Sequence, residues 1–152
     1  MIFQTGLLFH IIGIFLIAGG SIGNLVVEKL FWHYLAQFSE KSKTLAILLS
    51  RFPKVILTGS MLMLASGILM LYSVQWSFWG QTWLTIKLCL YAVLLFNGIF
   101  IAKPTIAKIV AEVNSLELHL KTLNMLKKKM LRFHIIQYSI LLLLIVVVIF
   151  KI

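Results

Sequence analysis

The chain has 152 residues, of which 61% are hydrophobic and only 12% are charged, and its mean hydropathy is +1.04. A soluble domain is nearer half apolar and a quarter charged, so this composition excludes an ordinary soluble enzyme and indicates an integral membrane protein. The net charge of +10 lies beside apolar segments, which argues against nucleic-acid binding and favours contact with anionic lipid. The single cysteine, Cys89, excludes an intrachain disulfide and a CxxC-type metal or redox site.

Four apolar segments are long enough to cross a bilayer as helices, at about 1.5 Å of rise per residue. We predict one domain over residues 1–152, an all-α, antiparallel four-helix bundle with spans over residues 5–27, 55–72, 82–103 and 131–150.

Small residues and prolines mark where these helices pack and bend. The Gly19-x-x-x-Gly23 pattern in the first span is typical of close helix packing, with a close approach to a flat cofactor as the weaker alternative. Pro53 is predicted at a helix start, and Pro104 is predicted to kink or restart the third helix.

Two basic segments lie between the spans. Residues 105–132 have apolar side chains at alternating spacings of three and four, which predicts either a hairpin packed against residues 28–52 or a helix lying on the membrane. We favour the hairpin, because two neighbouring helical extensions would bury each other's apolar stripes. His119 lies in this region and is expected to be solvated.

The basic residues also predict an orientation. Lys and Arg number five in residues 28–54 and seven in residues 103–132, whereas the 73–81 loop has none. The positive-inside rule therefore places both basic segments in the cytoplasm and both termini outside, in the bacterial inner (cytoplasmic) membrane.

Two titratable residues occur inside the predicted spans at matching depth. His10 and Lys87 each lie five residues past the outer end of a span, about 7–8 Å below the boundary. Ionisable groups at one depth on two helices of a small bundle predict a site. His10 could ligate haem iron or copper, and Lys87 could be a second axial ligand, pair with a propionate or shuttle protons.

Simpler interpretations of these residues stay open. Lys87 could extend to the outer interface, and His10 could only hydrogen-bond to a neighbouring helix. His33 and His134 are expected at the cytoplasmic interface, and Asn97 is expected to hydrogen-bond between helices.

Short motifs in three spans resemble a known group of small bacterial membrane proteins. The motifs are His10-Ile-Ile-Gly13 followed by Gly20, then Pro53 with Thr58-Gly59 and Gly67, and Trp83-Leu84-x-x-Lys87-Leu88-x-Leu90. They resemble the HemJ family of protoporphyrinogen oxidases, and the third helix is also similar to the CopD copper-resistance domain.

The HemJ resemblance implies a haem b held by the matching residues, His10 and Lys87. The Trp and the Pro-Arg of the HemJ first helix correspond here to Ile17 and Leu25-Val26. The arginine of the HemJ first helix is absent here, and its absence argues against the oxidase activity more than against the haem site.

These observations lead to three expectations about function. The first is a haem b-binding, HemJ-like redox protein acting in porphyrin or electron-transfer chemistry. The second is a non-catalytic accessory subunit of a larger membrane complex, and the third is CopD-like copper handling with His10 as a metal ligand. The expected partners are the lipid bilayer and either further copies of the chain or a host complex.

Overall fold

The computed structural model describes residues 1–37, 39–115 and 119–151, and in those ranges all regular structure is helical. Four long helices, Ile2–Ala36, Lys41–Ser73, Thr82–Val113 and Leu120–Phe150, are each long and apolar enough to cross a membrane. The all-α class and the four long helices are therefore confirmed, and each predicted span lies within one of them.

Two of the four long helices are interrupted, which gives six α-helices in chain order. Their bounds are α1 Ile2–Ala36, α2 Lys41–Leu49, α3 Phe52–Ser73, α4 Thr82–Phe96, α5 Lys103–Val113 and α6 Leu120–Phe150. Pro53 lies in the first turn of α3, as predicted, where its missing N–H leaves no helical hydrogen bond unmade.

A row of glycines brings α1 and α3 into backbone contact. Gly6, Gly13 and Gly20 recur every seven residues of α1 and are all buried, the repeat that keeps one helix face against a partner. A Cβ added to Gly13 would lie 2.9 Å from the Gly59 carbonyl oxygen, and one added to Gly59 would lie 3.0 Å from the Gly13 carbonyl oxygen. The glycines are therefore required for the close approach of these antiparallel helices.

The packing role predicted for Gly19-x-x-x-Gly23 is confirmed for Gly23 and wrong for Gly19. A Cβ on Gly23 would meet the Phe52 ring of α3 at 2.6 Å, but one on Gly19 would meet nothing within 4 Å. The seven-residue spacing, rather than the four-residue spacing, selects the packed face, because the two helices lie side by side over several turns.

A π-helical turn, Asn97–Ala102, separates α4 from α5 and lies directly before Pro104. Proline lacks an N–H and crowds the carbonyl group four residues earlier, and a wider turn relieves both problems. The predicted irregularity at Pro104 is confirmed, and it takes the form of this turn.

The basic segments pack on each other as the predicted hairpin, not as a helix lying apart from the bundle. The C-terminal part of α1 together with α2 packs against α5 and the start of α6 around Phe31, which is fully buried. Of the predicted apolar stripe, Leu120 is exposed and Leu116 lies outside the described residues. The basic-end core, as we call this cluster, comprises Phe31, Ala46, Leu49, Ala102, Ile106, Ile109, Val113, Leu123, Leu126, Met130 and Phe133.

Beyond the basic-end core, the helices form two pairs, α1 with α3 and α4 with α6. Two tyrosines join the pairs: the Tyr91 hydroxyl donates to the Ser60 carbonyl at 2.5 Å, and the Tyr138 hydroxyl donates to the Ser21 carbonyl at 3.1 Å. The space between the pairs forms the cavities described next.

Candidate functional site

Both predicted site residues line the space between the helix pairs. A cavity of about 580 Å³ extends along the bundle, and a second of about 260 Å³ lies toward the 73–81 loop. His10, Met63, Lys87 and Tyr91 line both cavities. The structure thus brings His10 and Lys87 to one place between two helix pairs, and their roles at a cofactor stay a prediction.

The His10 ring is oriented by a short hydrogen-bond chain from α3. Its Nδ1 lies 3.1 Å from the Ser66 Oγ, and the Ser66 hydroxyl donates to the Met63 carbonyl oxygen at 3.0 Å. The hydroxyl proton of Ser66 is used on Met63, so in the tautomer protonated on Nδ1 the His10 ring donates a hydrogen bond to the Ser66 oxygen. That tautomer leaves a lone pair on Nε2, the nitrogen then free to ligate a metal.

Lys87 reaches the same place from α4. It is half-buried, and within the described residues it has no hydrogen bond or ion pair. Tyr91 lies one turn further along α4 and is fixed by its bond to Ser60. The site therefore has an imidazole and a phenol that are held by hydrogen bonds, and an amine that makes no hydrogen bond to the described residues.

A buried acid–histidine pair is the feature that the sequence analysis missed. His134 Nε2 lies 2.6 Å from Glu28 Oε2, and both side chains are only 8% exposed. The Trp32 indole N–H donates to the other carboxylate oxygen at 3.1 Å. His134 is therefore buried inside the protein with Glu28 as its polar partner, whereas His33 is exposed, and the cytoplasmic-interface location of both stays a prediction.

Neither the spacing nor the periodicity of the sequence could have paired two residues 106 positions apart. The available signal was an acidic residue at the end of the first span facing a histidine at the start of the fourth.

Three buried amide side chains lie one turn from this pair, toward the cavity. The Asn97 Nδ2 donates to Gln137 Oε1 at 3.1 Å and contacts the Phe133 carbonyl at 3.4 Å, which confirms its predicted interhelical role. Asn24 is 3% exposed and lines the larger cavity together with Gln137.

The remaining predictions concern a metal or cofactor. Across residues 1–37, 39–115 and 119–151, no group of three or more His, Cys, Asp or Glu side chains could hold a metal ion. His10 Nε2 lies beside the larger cavity, whose volume of about 580 Å³ falls within the range of about 300–1,000 Å³ that is usual for ligand pockets, and the haem b expectation stays a prediction.

Comparison with protein-family models, curated proteins and solved structures gave no match to this chain. The function is therefore inferred from its own residues.

Proposed function

We propose that the chain is a multi-pass protein of the bacterial inner (cytoplasmic) membrane with both termini outside. Large apolar side chains such as Phe15, Phe96 and Leu142 are 60% or more exposed around the four long helices, as expected for surfaces that meet lipid. The basic residues gather at one end of the bundle, which the positive-inside rule assigns to the cytoplasm.

We further propose that the chain binds haem b between the α1–α3 and α4–α6 pairs, with His10 as an axial ligand. The observation that carries this proposal is the chain from His10 through Ser66 to the Met63 carbonyl. Histidine ligands of metals usually donate their second ring N–H to such a partner, which fixes the ring and raises its basicity.

Lys87 supplies the second polar group of the proposed site. It approaches from the opposite helix pair, and its amine would be the second residue to hold the haem, as in the pair implied by the HemJ resemblance. Tyr91 and Met63 bound the same space. When bound, haem iron exchanges single electrons, so the proposed activity is redox chemistry on porphyrins or electron transfer.

The first test is the visible spectrum of the purified protein. We expect a Soret band in the wild type that His10→Ala abolishes, since the axial nitrogen is lost. The matched control is His33→Ala, which removes an exposed histidine of the same helix and should leave the band unchanged. A wild type without a Soret band after expression with ample haem would refute the proposal and favour the accessory-subunit alternative.

A second test separates ligation from packing. Ser66→Ala removes the acceptor of His10 Nδ1 but leaves the imidazole, and loss of such a partner typically lowers metal affinity by about 10–100-fold. We therefore expect weaker haem binding in a titration of the apoprotein. Ser60→Ala is the control, because among the described residues the Ser60 hydroxyl bonds to the Ile56 carbonyl of its own helix and to no other group. Equal affinities for the two variants would show that Ser66 does not position the ring.

A further inference from the structure

The larger cavity has a second polar end, far from His10. Asn24 and His10 both line it and are fourteen residues apart on α1, which is about 21 Å of helix. Gln137 of α6 also lines the cavity one turn from the Glu28–His134 pair, and the residues Asn24 and Gln137 are 3% and 6% exposed. We call this region the amide end of the cavity.

The hydrogen-bonding capacity of the amide end is largely unused. Within the described residues Asn24 makes no hydrogen bond, and its buried Oδ1 has no partner. Gln137 accepts one bond from Asn97 and donates none. A buried amide without partners is destabilising, and leucine has a similar shape without that cost. A ligand that forms hydrogen bonds with both amides would explain why Asn24 and Gln137 occupy these buried positions.

The free groups define the ligand's head. Asn24 Oδ1 requires a donor, whereas the N–H groups of Asn24 and Gln137 require acceptors. An anionic head is disfavoured, because Glu28 lies one turn from Asn24, and of the lysines in the lining Lys87 lies with His10 and Lys103 is exposed. A phosphodiester also offers acceptors only. An uncharged ring that carries hydroxyl groups meets all of these requirements, because a hydroxyl both donates and accepts.

The rest of the cavity defines the ligand's tail. Between the amide end and His10 the lining is aliphatic, with residues such as Ile17, Leu94 and Leu144. The π-helical turn also borders the cavity. Its Gly98 lines the cavity, and the position that a Cβ would take there is open, with no atom within 4 Å. Such turns are frequent at functional sites.

We propose that the amide end binds the head group of an isoprenoid quinol, with the tail along the aliphatic wall. The hydroxyl of the quinol donates to Asn24 Oδ1, and a Gln137 N–H donates to a ring oxygen. This site is separate from the haem site proposed at His10, and it does not depend on haem being bound.

The test is photolabelling of the full chain in phosphatidylcholine nanodiscs with an azido-benzoquinol that carries a decyl tail, kept reduced under anaerobic conditions. We expect saturable labelling of peptides near Asn24 and Gln137, displaced by unlabelled decylubiquinol. Asn24→Leu should reduce this labelling at least tenfold while its melting temperature, measured without ligand, stays equal or rises. Asn114→Leu, which removes an exposed amide outside the cavity, is the matched control and should label as the wild type does.

Three outcomes would overturn the proposal: labelling of Asn24→Leu equal to the wild type, labelling that excess phospholipid displaces, or loss of a Soret band in Asn24→Leu. The last would assign the amide end to the haem site. Labelling that persists in His10→Ala supports the quinol site, and it does so whether or not the wild type shows a Soret band.

Discussion

Gly13→Ala should lower the free energy of unfolding by about 1–3 kcal/mol, the usual cost of overpacking a close contact. The added Cβ would lie 2.9 Å from the Gly59 carbonyl oxygen and 3.0 Å from the Met63 backbone nitrogen. Backbone atoms cannot rotate away as a side-chain tip can, so α1 and α3 must separate. Thermal unfolding of the purified protein, followed by circular dichroism, measures the loss.

Gly19→Ala is the matched control for this prediction. It lies on the same helix, gains the same helix propensity and meets nothing within 4 Å. Its melting temperature should be equal to or slightly above that of the wild type. If Gly13→Ala and Gly19→Ala had the same melting temperature, the backbone contact between α1 and α3 would not exist as described.

Glu28→Leu should destabilise the protein by about 3–5 kcal/mol, the usual cost of breaking a buried pair by removing one partner. The substitution leaves His134 and the Trp32 indole N–H without their shared acceptor inside the protein. Glu28→Leu combined with His134→Leu should recover much of that stability, because two apolar side chains need no polar partner. Chemical unfolding of the four species gives the coupling free energy.

A second Glu–His pair, formed by Glu112 and His119, serves as the comparison. His119 Nδ1 lies 2.8 Å from Glu112 Oε1, but the His119 side chain is 64% exposed, so water can replace the contact. Glu112→Leu should therefore change stability little. Equal losses for Glu28→Leu and Glu112→Leu would mean that burial does not determine the strength of the Glu28–His134 pair.

Much of the fold could be predicted because it follows from local composition. Uninterrupted apolar segments give the four long helices, and the three-and-four spacing in residues 105–132 gives their packed extensions. Proline acts on its own turn, so the irregularities at Pro53 and Pro104 were also predictable. The matching depths of His10 and Lys87 needed only helix rise, and the structure places both along the same cavities.

The features that could not be predicted depend on which helix faces pack against each other. The first span contains several glycines, and only the three-dimensional packing selects Gly6, Gly13 and Gly20 over Gly19. The same information decides that Glu28 meets His134 rather than water. The Ser66 acceptor of His10 also lies on another helix, at a position that no sequence motif marks.

The basic-end core determines how the large cavity exchanges its contents. Ala102, Ile106 and Phe133 belong both to that core and to the cavity lining, so the packed cluster forms the cavity floor. In the proposed membrane orientation this floor faces the cytoplasm, so a molecule would enter the cavity sideways between the helix pairs, where Tyr91 and Tyr138 join them. Occupancy would then follow how strongly a compound partitions into the bilayer, and its aqueous concentration would matter only through that partition.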